Sequence, residues 1–350
     1  MTILRWRAHK RHDDQELKEE HDRGAALVGI IVRGEARSPT SPQISHEMTT
    51  QRKPDSRITS PPVYVVVPNR NGLEHLSYSL RSLGRTTYDN YHIVLVDDGS
   101  ADDSLRYVAS EHGEITILEN RGKRGFAGSV NTGIKYALAS GAQFVAVFNN
   151  DIRVVPAWLD WTVPILLESA SVGLVGFTEV NREREKLFYE SQVNENSVEA
   201  RAVSGLAGCL YVCSAAAFER VGLFDEDYFM YGEDGDLFLR LIAAGYRLLE
   251  TNIPVWHYGE GSSQNRKLQT TWLAYRNAVR VSVKNQGPLG VIRVVASLAN
   301  QGCNPFLTRP KELPSIRRLR RYNPIVNGLL LVGSCIWNCW HYPSTRRARR

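Results

Sequence analysis

The chain has 350 residues and 43% of them are apolar, a globular composition with room for one large domain or two smaller ones, which excludes a disordered or collagen-like chain. Its net charge of +6 does not indicate nucleic-acid binding, because ten basic residues and one acid (Glu312) lie between Arg309 and Arg350, a local +9 that leaves −3 for residues 1–308. The charge belongs to a tail, which suits a surface partner such as anionic lipid better than a nucleic-acid groove.

Residues 1–60 mix charge with Ser, Thr and Pro and predict a poorly ordered arm. No secretory signal is visible in it: the apolar run from Ala25 to Val32 falls short of the ~20 residues that span a bilayer. Met48 lies inside the arm and is an alternative start to Met1.

From Val63 the pattern alternates strand and helix. VYVVV (63–67) is a continuous β-branched run, as expected of a strand covered on both faces, and it exits through PNRNG into a helix over 73–83. Strands follow at 92–96, ending in DDGS, at 115–118, ending in NRGKRGFAGS before a helix over 130–139, and at 143–148, ending in NND. Such a repeat predicts a parallel, Rossmann-like sheet with helices on both faces and ligands at the carboxyl ends of the strands, where each of these polar clusters lies.

The second half is less regular. It predicts a helix over 158–167, a strand over 172–177, a polar surface loop or small hairpin over 179–201, a short helix over 215–220, and a helix over 237–244 closed by Gly245. Residues 325–340 are apolar and bracketed by RRLRR and RRARR, an arrangement equally suited to a headgroup-level segment and to a buried C-terminal helix.

Several residues invite a chemical reading. Asp97 and Asp98 stand directly beyond an apolar strand and Asp151 beyond another after Asn149 and Asn150, where a carboxylate needs a partner: a ribose hydroxyl, a pyrimidine N3–H, or a divalent cation beside a diphosphate. DDGS alone is also good turn chemistry. The glycines of GKRGFAGS match neither a dinucleotide fingerprint nor a P-loop, and their expected role is to let backbone approach a ligand between Asn120 and Asn131, with Gly125 and Gly128 giving room. Glu233, Asp234 and Asp236 precede an amphipathic helix; Asp236 is expected to cap it, and a carboxylate beside an acceptor hydroxyl can serve as general base. His257 follows a short apolar strand and could be a packed residue, a metal ligand or a phosphate donor. Five cysteines, without paired zinc spacing, fit a reducing compartment.

PNRNG, VDDGS, Asn120-x4-GFAGSVNTGI, FNND, GLFDEDYFMYGEDGDLFLR, PVWHYG and YRNAV occur in this order over residues 62–285, and the set resembles the family 2 glycosyltransferases, most of all their rhamnosyltransferase-like and galactofuranosyltransferase-like branch. The resemblance implies a GT-A α/β fold over 61–285, with a nucleotide-binding half (61–151) and an acceptor half (152–285); the N-terminal arm and the helical basic tail (286–350) lie outside the family's shared core. It also implies an inverting hexosyl transfer from dTDP-rhamnose or a UDP-sugar to a glycan or lipid-linked glycan.

In that pattern Pro68 and Asn69 line the nucleobase side, Asp97 and Asp98 hold base and ribose, and Asn120, Gly125 and Asn131 border the nucleotide sugar. Asp151 matches the last acid of the metal motif, Asp234 the general base, and His257 a histidine that in some relatives binds the metal, Mg2+ or Mn2+. Asn149 replaces the first acid of the metal motif, so one charged ligand is missing. The expected location is the cytoplasm, at the membrane's cytoplasmic face if residues 309–350 touch lipid. A sugar nucleotidyltransferase or a non-catalytic carbohydrate-binding relative are the alternatives.

Overall fold

The β-branched run that opens the patterned chain becomes the centre of the sheet. A computed structural model describes residues 60–181, 184–190, 193–194, 197–259, 267–303 and 322–347. The expected disordered arm up to residue 59, the Ala25–Val32 run, Met48 and the basic stretch 309–321 lie outside the described residues.

β1 (Val63–Asn69) is buried at six of its seven positions and is flanked in parallel by β2 (Tyr91–Asp97) and β4 (Phe144–Phe148), with β3 (Thr116–Glu119) parallel beyond β2. Helices α1 (Leu73–Leu83), α2 (Ser104–Glu111) and α3 (Gly125–Ala139) connect them. Because β2 and β4 lie on opposite sides of β1, the chain switches direction there. Its carboxyl end is the crevice where an open α/β sheet holds ligands.

The sheet continues through β8 (Leu210–Ser214), antiparallel to β4, then β6 (Val172–Asn181), β9 (Arg247–His257) and β5 (Ile152–Val154), giving the order β3-β2-β1-β4-β8-β6-β9-β5, with β7 (Ala200–Val203) paired to β9. Around these strands stand α4 (Trp158–Glu168), the short α5 (Glu185–Glu190), α6 (Ala215–Val221) and α7 (Glu233–Ala243). Trp158, fully buried, anchors α4 by packing between the rings of Phe148 and Phe177 and donating its indole N–H to Thr86.

Three boundaries differ from those read in the sequence. The polar stretch after residue 178 is not all loop, since β6 runs on to Asn181 after register shifts against β9 and is followed by α5 and β7. The glycine-rich GFAGS is the first turn of α3. The acidic cluster does not precede its helix: α7 begins at Glu233 behind Gly232, so Asp236 is not the cap. Asp236 is buried and paired with Arg240 at 2.9 Å, whose guanidinium also donates to the carbonyls of Val221, Gly222 and Leu223. The expected C-terminal closure near Gly245 holds, its φ of +87° being the left-handed value that ends a helix.

The described residues form two compact units, one of residues 60–204 and 208–267 and one of residues 205–207 and 268–347. The second begins earlier than residue 286, because α8 (Lys267–Asn285) contributes Ala274, Tyr275, Ala278 and Val279 to a cluster with Val294 and Leu298 of α9 (Gly287–Cys303) and Leu331 of α10 (Pro324–Trp340). The short α11 (Tyr342–Arg347) places Thr345 where the fully buried Arg280 donates to it at 2.8 Å. Among the described residues no helix is long and apolar enough to cross a membrane.

Candidate active site

The carboxyl ends of β1, β2 and β4 converge through side-chain amides. Asn69 donates to Asp97 at 3.2 Å and accepts from Asn150 at 2.8 Å, tying three strand ends together. Asp97 also accepts from the backbone N–H groups of Gly99 and Ser100 and from the Ser100 hydroxyl, which with Asn69 uses the roughly four lone-pair sites of a carboxylate. Its part is to set the turn. Asp98 accepts from Asn120, Arg124 N–H and Gly125 N–H and keeps one site over. Asn120 spends its remaining groups on Ser129 and Thr132, and Asn131 clamps the backbone N–H and carbonyl of Phe224 together with the Glu226 carboxylate. Pro68 is half-buried beside them.

The room expected for a ligand at Gly125 is filled by the protein. Gly125 has a φ of +71°, and a Cβ there would strike the ring of Phe229 at 2.5 Å. The carbonyl of Phe229 accepts from Phe126 N–H and Ala127 N–H and so caps α3. Phe229 and Tyr231 hold left-handed φ values of 64° and 69°, strain uncommon in aromatic residues and concentrated just before α7.

Asp151 and His257 meet because β5 pairs with β9, setting Ile152 opposite His257. The imidazole lies between two carboxylates, Nε2 at 3.3 Å from Asp151 and Nδ1 at 2.5 Å from Glu179. Burial opposes charge on His257, but Asp151 and Glu179 outweigh it and hold its pKa well above the usual histidine value. Burial likewise opposes charge on Asp151, and His257 reverses the effect, keeping Asp151 ionised below its ordinary range. To ligate a cation, His257 would have to release one proton and one of these partners.

Asp234 lies in the first turn of α7, half-buried, with its Oδ1 accepting a 2.9 Å hydrogen bond from the fully buried Tyr211 hydroxyl. Burial raises its pKa to about 7, and the Tyr211 hydrogen bond pulls the other way. Burial and then Asp234 itself push Tyr211 well up, so the phenol stays protonated and available as a donor. Gly208 leaves the space this carboxylate occupies: a Cβ there would collide with Asp234 Oδ2.

Cys209 joins the two acids. Its carbonyl accepts from Asn149 N–H at 3.0 Å, it follows the glycine against which Asp234 rests, and its thiol is pushed well up by burial and then by Glu179, Asp151 and Asp234. The chain just before β8 thus meets Asp234 at Gly208 and the Asn149 backbone, two residues before Asp151, at Cys209. Sequence reasoning missed Tyr211, Gly208 and Glu179, since their roles depend on the insertion of β8 beside β4 and on the extension of β6.

The donor set suits a divalent cation. Asn149 Oδ1, the position that departs from the acidic motif, is a buried acceptor with no donor among the described residues, and a cation would satisfy it beside Asp151. Glu179, Cys209 and His257 place one potential ligand atom each within 4.8 Å of one another.

Residues 64–226 match the family model described as Glycosyl transferase family 2. Over these residues the chain is similar to that family. The chain is 23% identical over 233 residues to the UDP-Glc:alpha-D-GlcNAc-diphosphoundecaprenol beta-1,3-glucosyltransferase of Escherichia coli, covering 60% of this chain and 83% of that protein. It is 24% identical to an uncharacterized glycosyltransferase of Rickettsia prowazekii, covering 52% of this chain and only 59% of that protein.

Among solved structures, a mannosyltransferase from Pyrobaculum calidifontis in complex with GDP-Man and Mn2+ superposes with a TM-score of 0.53 at 17% identity, covering 90% of this chain and 96% of that one. GalNAc-T7 with UDP, GalNAc and Mn2+ also gives 0.53, at 15% identity, covering 83% and 59%. At these identities the likeness establishes the glycosyltransferase α/β fold.

Proposed function

We propose that the chain transfers a sugar from a nucleotide-diphosphate donor, dTDP-rhamnose or a UDP-sugar, to a hydroxyl of a glycan or lipid-linked glycan, inverting the anomeric centre, with Asp234 as general base. The observation that carries the reading is the pair of acids held at the approach to β8, Asp151 by His257 at 3.3 Å and Asp234 by Tyr211 at 2.9 Å against Gly208. A single displacement needs both: charge compensation where the leaving diphosphate departs, and a proton acceptor on the opposite side of the reacting carbon. The relative named for UDP-Glc and the neighbours solved with a nucleotide or nucleotide sugar and Mn2+ support the donor class and the metal.

A bound Mg2+ or Mn2+ supplies Lewis-acid neutralisation of the diphosphate. Asn149, Asp151 and His257 are the residues that would hold it. Pro68, Asn69 and Asp98 form the donor side, in which Asp97 fixes the turn and Asp98 retains an acceptor site for the nucleoside, while Asn120, Gly125 and Asn131 support it by holding the start of α3 and the segment 224–226 in place. Tyr211 orients Asp234, whose carboxylate takes the acceptor proton as the new glycosidic bond forms. The acceptor oxygen bonds to the anomeric carbon from the face opposite the diphosphate as the anomeric carbon–oxygen bond breaks, and the nucleoside diphosphate leaves with that electron pair, so the centre inverts. A lipid-linked acceptor and a location at the cytoplasmic face of the membrane follow from the basic residues of 309–350.

The test is a screen of nucleotide sugars for nucleoside diphosphate release, with the anomeric configuration of the product read by NMR. Pyrophosphate release from a nucleoside triphosphate and a sugar phosphate would overturn the reading in favour of nucleotidyl transfer. Gly208→Ala is expected to displace Asp234 and lower kcat about 100-fold, the effect of a misplacement near 1 Å, with donor Kd unchanged by calorimetry. An unchanged kcat would remove Asp234 from the reaction.

A further inference from the structure

α10 turns its polar residues inward and its apolar ones outward. Asn327, Leu331, Ser334 and Asn338 are buried, and the two amides are engaged by backbone carbonyls: Asn327 by Gly302 and Tyr322, Asn338 by Arg276 and Ser334. The opposite side carries Ile325, Leu329, Val332, Ile336 and Trp340, which are 74%, 68%, 57%, 64% and 83% exposed. At 3.6 residues per turn these five positions fall within an arc of about 80°, facing away from the buried set. A helix bathed in water carries charge on that side; α10 has no charged residue in its 17 positions. On α9, Leu289 and Ile292 are also 69% and 64% exposed.

We propose that this stripe is a membrane-contact surface, with α10 lying in the plane of an anionic leaflet and its five apolar side chains entering the acyl boundary. The inference rests on the proposed membrane contact of residues 309–350 and names the side chains that make it. Charge complementarity selects the occupant: residues 309–350 carry ten Lys and Arg against one Glu, which anionic headgroups attract. A second copy docked on the same face would bring two such basic segments together. Spanning is excluded for α10 itself, since at 17 residues it is about 26 Å long and its other side is packed against protein.

Flotation of the full chain with vesicles of phosphatidylcholine, alone and mixed with phosphatidylglycerol, tests this without donor or acceptor, so its outcome is independent of whether the chain transfers sugar. The expected result is flotation with the anionic vesicles and at least a ~10-fold lower partition coefficient for both Leu329→Gln/Ile336→Gln and Ile325→Gln/Val332→Gln. Brominated lipids should quench wild-type tryptophan emission, and Trp340→Phe should lose most of that quenching. Absence of flotation overturns both the stripe and the membrane contact. Equal flotation of wild type and both double variants overturns the stripe and leaves contact through the basic flanks. A concentration-dependent dimer that the double variants dissociate overturns it in favour of a second copy.

Discussion

Asp234→Asn is expected to lower kcat about 1000-fold while leaving donor affinity within about twofold, the signature of losing a group that acts only as the acceptor proton moves. The amide keeps the shape and can still accept from Tyr211, so the change isolates proton transfer. Equal loss of donor binding and turnover would move Asp234 to the donor side. With its pKa raised to about 7, wild-type kcat should fall as pH drops below that value, because the protonated acid cannot accept a proton. Stability should show the opposite sense. The unfolded acid ionises near 4 and the folded one near 7, so the fold is penalised for this charge as pH rises through that window. Asp234→Asn should therefore raise Tm at pH 8, by ~4 °C for about 2 kcal/mol after allowing for partial exposure, and leave it unchanged at pH 3.

The second large effect falls on Asp151. In the wild type, Mn2+ should tighten nucleotide-sugar binding, and in Asp151→Ala the metal should no longer do so, a loss of about tenfold or more in donor affinity. Calorimetry with and without Mn2+ separates this from a general defect, since metal-free affinity should be similar in both proteins. Metal-independent donor binding by the wild type would refute the cation site. Asn149→Asp restores a second carboxylate and should strengthen metal binding.

The parallel half of the sheet was legible because VYVVV and its partners are buried on both faces, so apolar continuity alone marks them. Asp151, Asp234 and His257 were legible only as members of an ordered motif set; nothing local distinguishes them from turn or cap residues. What escaped depends on pairing between distant segments. Glu179 reaches His257 only because β6 shifts register against β9 and continues past Phe177. Tyr211 reaches Asp234 only because β8 is inserted antiparallel beside β4. Asp98 and Asn120 were read as ligand groups, whereas most of their capacity goes to holding the start of α3. On α10 the apolar run was visible, but which side packs was not; the amides and serine spaced along one face held that information.

The ties between Phe229 and the start of α3, and between Asn131 and the segment 224–226, bind the approach to α7 directly to the parallel half of the sheet. On the proposed chemistry, Asp234 is thereby indexed to the leaving group rather than to whatever hydroxyl arrives. On that chemistry, substitutions confined to the stretch between β6 and β7, which holds none of Asp151, Asp234 and His257, can retune the acceptor without touching that alignment, so substrate range and chemistry can diverge independently in descendants of this fold.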